Sequence, residues 1–136
     1  MKSCFVDTIL FVRYLTDDDA EKADRVEALL GEAAEGKVRL VTADLVLVEL
    51  IWVLESSYDL KPAEVAPMIR SILVTPGMEV INGALLAEAL DHYEGNNIDI
   101  VDGYIAALMN KLNIANVYSF DRKHLSRLKS LKRIEP

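Results

Sequence analysis

Along the chain, short continuous apolar runs alternate with apolar stripes of helical spacing. Cys4-Phe5-Val6 is such a run and predicts a strand that ends at Asp7. Residues 9–15 predict a first helix, stopped by Thr16-Asp17-Asp18-Asp19. Those aspartates suit the N-cap and first turn of a second helix, where carboxylates accept unpaired backbone N–H groups. Its stripe is Ala23, Val26, Leu29, Leu30 and Ala33, and Gly36 closes it. Residues 38–41 predict a second strand, after which Thr42 or Asp44 caps a helix running through Glu49 and Trp52 to about Ser56. Pro62 suits the first position of the next helix, although Pro67 removes one of its internal hydrogen bonds. Thr75-Pro76-Gly77 is a turn and residues 78–81 a third strand.

Further on, residues 84–93 predict a helix that Gly95-Asn96-Asn97 interrupts, and residues 98–112 a long apolar one. Residues 117–120 predict a fourth strand ending at Asp121, residues 123–128 a short helix, and residues 132–134 an edge strand. Strands alternating with helices imply an α/β fold. The expectation is a doubly wound central parallel sheet of four to five strands flanked by helices, in one domain over residues 1–136.

Composition narrows the function. Half of the 136 residues are hydrophobic, enough for a core and far from a disordered chain. The single cysteine, Cys4, excludes an internal disulfide and a Cys-rich zinc site, and is read as a core residue. His92 and His124 show no partner pattern that suggests catalysis, and are read as surface or general polar residues. Trp52 and the tyrosines are read as packing rather than base-stacking side chains. With no secretory signal and no membrane-spanning stretch, the expected location is the cytoplasm. The net charge of −7 argues against a nonspecific nucleic-acid binder. Even so, residues 122–136 hold six basic side chains against one acid, which allows local contact with phosphate.

Four of the acids stand where carboxylates are unusual. Asp7 and Asp121 each end an apolar strand, and the carboxyl ends of parallel strands are where ligands bind. Glu49 lies within an apolar helix, as does Asp102, and Asp99 precedes Asp102 by one turn on the same face. Such carboxylates are costly to ionise unless paired, and cations are few; Arg13, Arg122 and Lys123 are the available partners. Converging carboxylates with few cations suit a hard divalent ion. Taken singly, the acids have simpler readings: Asp7, Asp99 and Asp121 as helix caps, Glu49 at a solvent edge or paired with Arg13.

These residues resemble a PIN-domain ribonuclease, and among that family most closely the VapC toxins of toxin–antitoxin pairs. The likeness spans essentially the whole chain. It is carried by Phe5-Val6-Asp7-Thr8, by Glu49, by Asp99-Ile-Val-Asp102-Gly-Tyr-Ile-Ala-Ala107 and by Ser119-Phe120-Asp121-Arg122. The resemblance implies an acidic site of Asp7, Glu49, Asp102 and Asp121 holding Mg²⁺, with Mn²⁺ able to substitute. Asp99 matches an often acidic position nearby and joins these four as a candidate metal ligand, and Thr8 and Ser119 match supporting hydroxyls. It further implies hydrolysis of RNA phosphodiesters, a cognate antitoxin protein and a homodimer. Gly103 departs from the family, which more often has Ala there, and weakens its helix by up to about 1 kcal/mol. Dehalogenase-type, receiver and P-loop patterns are absent. The alternatives are a non-catalytic PIN-like binding module and a housekeeping PIN nuclease without antitoxin.

Overall fold

The computed structural model describes all residues, Met1–Pro136, and the chain forms two compact units, Met1–Gly83 and Ala84–Pro136. The first contains β1 (Lys2–Phe5), α1 (Thr8–Leu15), α2 (Ala20–Ala34), β2 (Val38–Ala43), α3 (Asp44–Tyr58), α4 (Pro62–Leu73) and β3 (Met78–Ile81). Its sheet is parallel in the order β1-β2-β3, with Lys2 opposite Val38 and Leu40 opposite Met78. A parallel neighbour requires a long crossover, and helix pairs supply both: α1–α2 between β1 and β2, α3–α4 between β2 and β3. Leu40, Leu47, Leu50, Ile51, Leu54, Val65 and Ile69 are fully buried.

Local signals explain the helix boundaries. The Asp19 carboxylate caps α2 by accepting the Lys22 N–H (3.1 Å), and Gly36 and Lys37 donate back to Ala33 and Glu32 to close it. Pro62 opens α4, where Glu64 reaches back to the Lys61 N–H (3.2 Å), and the helix continues through Pro67. Neither Thr42 nor Asp44 is the N-cap of α3; Ala43 holds that position. Thr42 is instead fully buried and donates to the Val6 carbonyl (2.9 Å), while the Val6 N–H donates to the Val41 carbonyl (2.8 Å). These two bonds pin the backbone immediately before Asp7. Cys4 is half-buried on β1 rather than in the core.

The second unit contains α5 (Gly83–Gly95, beginning one residue earlier), α6 (Ile100–Lys111), β4 (Asn116–Tyr118), a single 3₁₀ turn (Leu125–Arg127) and β5 (Lys132–Ile134). Strands β4 and β5 pair in parallel, Asn116 opposite Lys132 through Tyr118 opposite Ile134. Ile98, Ala106, Leu125 and Leu128 form its apolar cluster, with Val117 and Leu131 against it. Gly103 lets α6 approach α5, since a Cβ there would lie 2.8 Å from the Ala89 carbonyl oxygen.

The α/β class is as expected, but the single central sheet of four to five strands is not what the strands form. Three lie in one ladder, in an order that runs without reversal, and two in another. Apolar periodicity locates a strand, whereas the choice of neighbour is a long-range pairing that the period does not encode. The short helix expected after Asp121 is the 3₁₀ turn, and β4 ends at Tyr118, three residues before Asp121.

Candidate active site

In the second unit the acids gather around the start of α6 and the loop after β4. Asp99 is the N-cap of α6, its carboxylate accepting the Val101 N–H (3.0 Å). One turn on, Asp102 is half-buried, with His124 Nδ1 3.3 Å from its Oδ2. Asp121 accepts three backbone N–H groups, from Lys123 (2.9 Å), His124 (3.2 Å) and Leu125 (3.3 Å). Ser119 supports this loop by accepting the Asp121 N–H on its Oγ (3.0 Å). Side-chain donor atoms of Asp102, Asp121 and His124 all lie within 4.8 Å of one another.

The two carboxylates are tuned in opposite directions. Burial, then the charges of Asp121 and Asp99, hold the Asp102 carboxyl above its ordinary value, with His124 opposing them. The Lys123 and His124 N–H groups, then that of Leu125 with the charge of His124, hold Asp121 below its ordinary value against a smaller effect of burial. One acid is therefore reluctant to ionise and its neighbour is held ionised.

In the first unit, Asp7 stands at the N-cap position of α1 but its side chain makes no capping bond there. Thr8 donates its hydroxyl to Glu49 Oε1, joining α1 to α3. Glu49 is exposed, on a stripe of α3 that also presents Leu45 (77% exposed) and Trp52 (65% exposed). Trp52 is thus not the packing residue its neighbours suggest. Asp7 also lines a cavity of about 450 Å³ with Ile9, Leu10, Val26 and Leu29, and with three cations, Arg13, Lys22 and Arg25.

Two of the three cations expected to neutralise the site serve elsewhere. Arg13 pairs with Asp18 (3.3 Å) and Arg122 with Glu135 (3.2 Å). Arg133 bonds the Ser119 carbonyl (2.8 Å) and Glu135 (2.9 Å), and Arg127 the Asn97 carbonyl. Three of the six basic residues of the C-terminal segment therefore brace the second unit, while Lys123, Lys129 and Lys132 are exposed.

The donor set of Asp102, Asp121 and His124 fits a divalent ion: two carboxylates and an imidazole, half-buried and spaced as ligands of one ion are. His124 is the residue that the sequence reading missed. Its signal is the spacing Asp121-x-x-His124, which one turn of chain folds onto a single side.

Residues 4–131 match the PIN domain family. The chain belongs to the PIN-domain family. It is also similar to a protein described as a VapC ribonuclease from Aquifex aeolicus (strain VF5), 23% identical over 118 residues that span 87% of each chain. Within this PIN domain, Asp7, Thr8 and Glu49 belong to the first unit, and Asp99, Asp102, Ser119 and Asp121 to the second. Asp99, Asp102 and Asp121 are brought together with His124, and Thr8 with Glu49. No helix is long and apolar enough to cross a membrane.

Proposed function

We propose that the chain is a divalent-metal-dependent endoribonuclease and the toxin of a toxin–antitoxin pair. The observation that carries this reading is the cluster of Asp102, Asp121 and His124 inside a chain that matches the PIN family over nearly its whole length. The similarity to a VapC ribonuclease supports RNA as substrate and an antitoxin as partner. In this reading Asp7, Glu49, Asp102 and Asp121 hold Mg²⁺ or Mn²⁺, and Asp99 adds negative charge nearby. A bound ion supplies charge neutralisation at the attacked phosphate and a more acidic water.

The chain's own groups then have distinct tasks. Asp121 is kept ionised and oriented by its backbone N–H donors, so it enters the reaction without rearranging. Asp102, reluctant to ionise alone, becomes a better ligand once a cation offsets Asp99 and Asp121. Thr8 fixes the rotamer of Glu49. The overall reaction joins a water oxygen to phosphorus as the P–O3′ bond breaks. It leaves a 5′-phosphate and a 3′-hydroxyl, the departing oxygen taking up a proton.

Flanking contacts follow the charge and the apolar surface. Arg13, Lys22 and Arg25 beside the cavity that Asp7 lines suit an RNA backbone. A second cavity of about 510 Å³, lined by Phe11, Tyr14, Leu30, Ile72, Val74 and Met78, suits the apolar face of an antitoxin helix. The exposed Leu45 and Trp52 suit a homodimer contact. A cytoplasmic location accords with all of these.

The test is cleavage of an end-labelled single-stranded RNA. Activity is expected to vanish in EDTA and return with Mn²⁺ or Mg²⁺. Asp102→Asn and Asp7→Asn are expected to lower it by at least about a hundredfold. Undiminished cleavage by Asp102→Asn in EDTA would overturn the metal-dependent reading. Tight partner binding with no cleavage under any metal would favour the non-catalytic module, and active, harmless protein expressed alone a housekeeping nuclease.

A further inference from the structure

We propose that His124 is a nitrogen ligand of the divalent ion and biases the site toward Mn²⁺ and later first-row ions over Mg²⁺. The proposal rests on the metal-dependent reading above and goes beyond it, because the acids carried by the family motifs are all oxygen donors.

The geometry accommodates coordination as well as a direct pair between His124 and Asp102. His124 Nδ1 stands 3.3 Å from Asp102 Oδ2. Charge-assisted N–H···O bonds settle nearer about 2.8 Å. Two adjacent ligands on one octahedral ion, by contrast, lie about 3 Å apart when each bond is about 2.1 Å. Opposite ligands on such an ion are about 4.2 Å apart by the same bond length, and the three donors span no more than 4.8 Å. Closing onto an ion therefore takes a shift of well under an ångström.

The ring is held in place from its own turn. The His124 N–H donates to Asp121 Oδ1 (3.2 Å), so backbone and carboxylate are fixed together. Leu125 and Leu128, next along, are buried in the apolar cluster of the second unit and anchor the 3₁₀ turn. Asp121 spends three acceptor sites on backbone N–H groups, and an ionised carboxylate has about four, so one remains toward the ion. A half-buried imidazole beside two half-buried carboxylates is a mixed N/O donor set. Mg²⁺ binds oxygen and retains its waters, whereas imidazole favours the transition ions, and this difference is the source of the bias.

Electron spin-echo modulation of Mn²⁺ added to the metal-free protein tests the claim without using activity. The wild-type protein is expected to show ¹⁴N modulation, replaced by ¹⁵N frequencies when histidine is isotopically labelled. His92→Gln is expected to retain it and His124→Gln to lose it while still binding Mn²⁺. By calorimetry, His124→Gln is expected to weaken Mn²⁺ about tenfold and to leave Mg²⁺ within about twofold, which lowers the Mn²⁺/Mg²⁺ preference. A wild-type spectrum without nitrogen modulation overturns the claim with no variant needed, and because His124 is the one histidine left in His92→Gln, that variant assigns the signal even where His124→Gln fails to fold. Mn²⁺ bound without nitrogen modulation would overturn the role of His124 and leave the ribonuclease reading standing. Failure of the wild-type protein to bind Mn²⁺ would overturn both.

Discussion

Half-burial takes water from the Asp102 carboxylate, and Asp121 and Asp99 add like charge, so its proton is held above the ordinary value of 3.8. In the window between 3.8 and the raised folded value, the folded chain binds more protons than the unfolded chain. Stability therefore falls as pH rises through that window and stays lowered above it. Asp121 behaves in the opposite sense: its depressed pKa contributes stability present above 3.8 and lost as pH falls through the folded value. Removing the charge at Asp102 while keeping its shape separates the two effects. In chelator at pH 7, Asp102→Asn is expected to shift the urea midpoint upward. The difference should close as pH falls below 3.8, where the wild-type carboxyl is protonated in both states. A lower midpoint for the variant at pH 7 would contradict this assignment of the charge strain. Residues such as Asp102 stand out in sequence because a carboxylate among apolar neighbours is conspicuous. His124 does not, because its partner Asp102 is remote in sequence and only the folded turn brings them to 3.3 Å.

At the scale of elements, Gly103 shows how helix propensity misleads when two helices touch. Read from sequence, it is a weak point of α6 that alanine would mend. In the fold, a Cβ at Gly103 meets the Ala89 carbonyl oxygen at 2.8 Å, closer than real Cβ contacts, and also His92 Cβ at 3.4 Å. Because the obstacle is backbone of α5, the helices themselves must move apart. Gly103→Ala is therefore expected to destabilise the protein by about 1–3 kcal/mol despite its better propensity. Gly31, inside α2 with nothing within 4 Å of an added Cβ, supplies the contrast. Gly31→Ala is expected to stabilise by about 0.5–1 kcal/mol. Equal responses of the two variants in denaturant titration would show that the α5–α6 contact does not decide the outcome. Propensity, capping and strand runs are local, which is why α2, α4 and β3 were legible in the sequence nearly to the residue. Of the two readings of Glu49, as a carboxylate among apolar neighbours and as one at a solvent edge, the fold shows the second, for a related reason. The segment around it is apolar on every side in sequence, yet Leu45, Glu49 and Trp52 share the exposed stripe of α3, so its carboxylate meets water and Thr8 rather than core.

At the scale of the molecule, what escaped the sequence was pairing: five short runs identify five strands, but nothing local says that they divide as three and two. Charge, in contrast, is additive and legible, and an excess of 22 acids over 15 basic residues makes divalent cations bind weakly almost anywhere. A specific site must therefore be distinguished from that background, and linkage offers a way. An ion bound only by the folded chain stabilises it by about 2.7 kcal/mol at a hundred times its dissociation constant. For a chain of this size that raises the melting temperature by about 8 °C, taking about 3 °C for each kcal/mol. Mn²⁺ is expected to produce such a rise in the wild-type protein relative to NaCl of matched ionic strength, and a much smaller one in Asp102→Asn. Combined with the strain argued for Asp102, this predicts that the two curves cross. The variant melts higher in chelator because it lacks an unneutralised charge, and lower in saturating Mn²⁺ because it lacks a ligand. Parallel curves, with the same increment for both proteins, would mean that the ion is held by the diffuse charge of the surface and not by the cluster around Asp102.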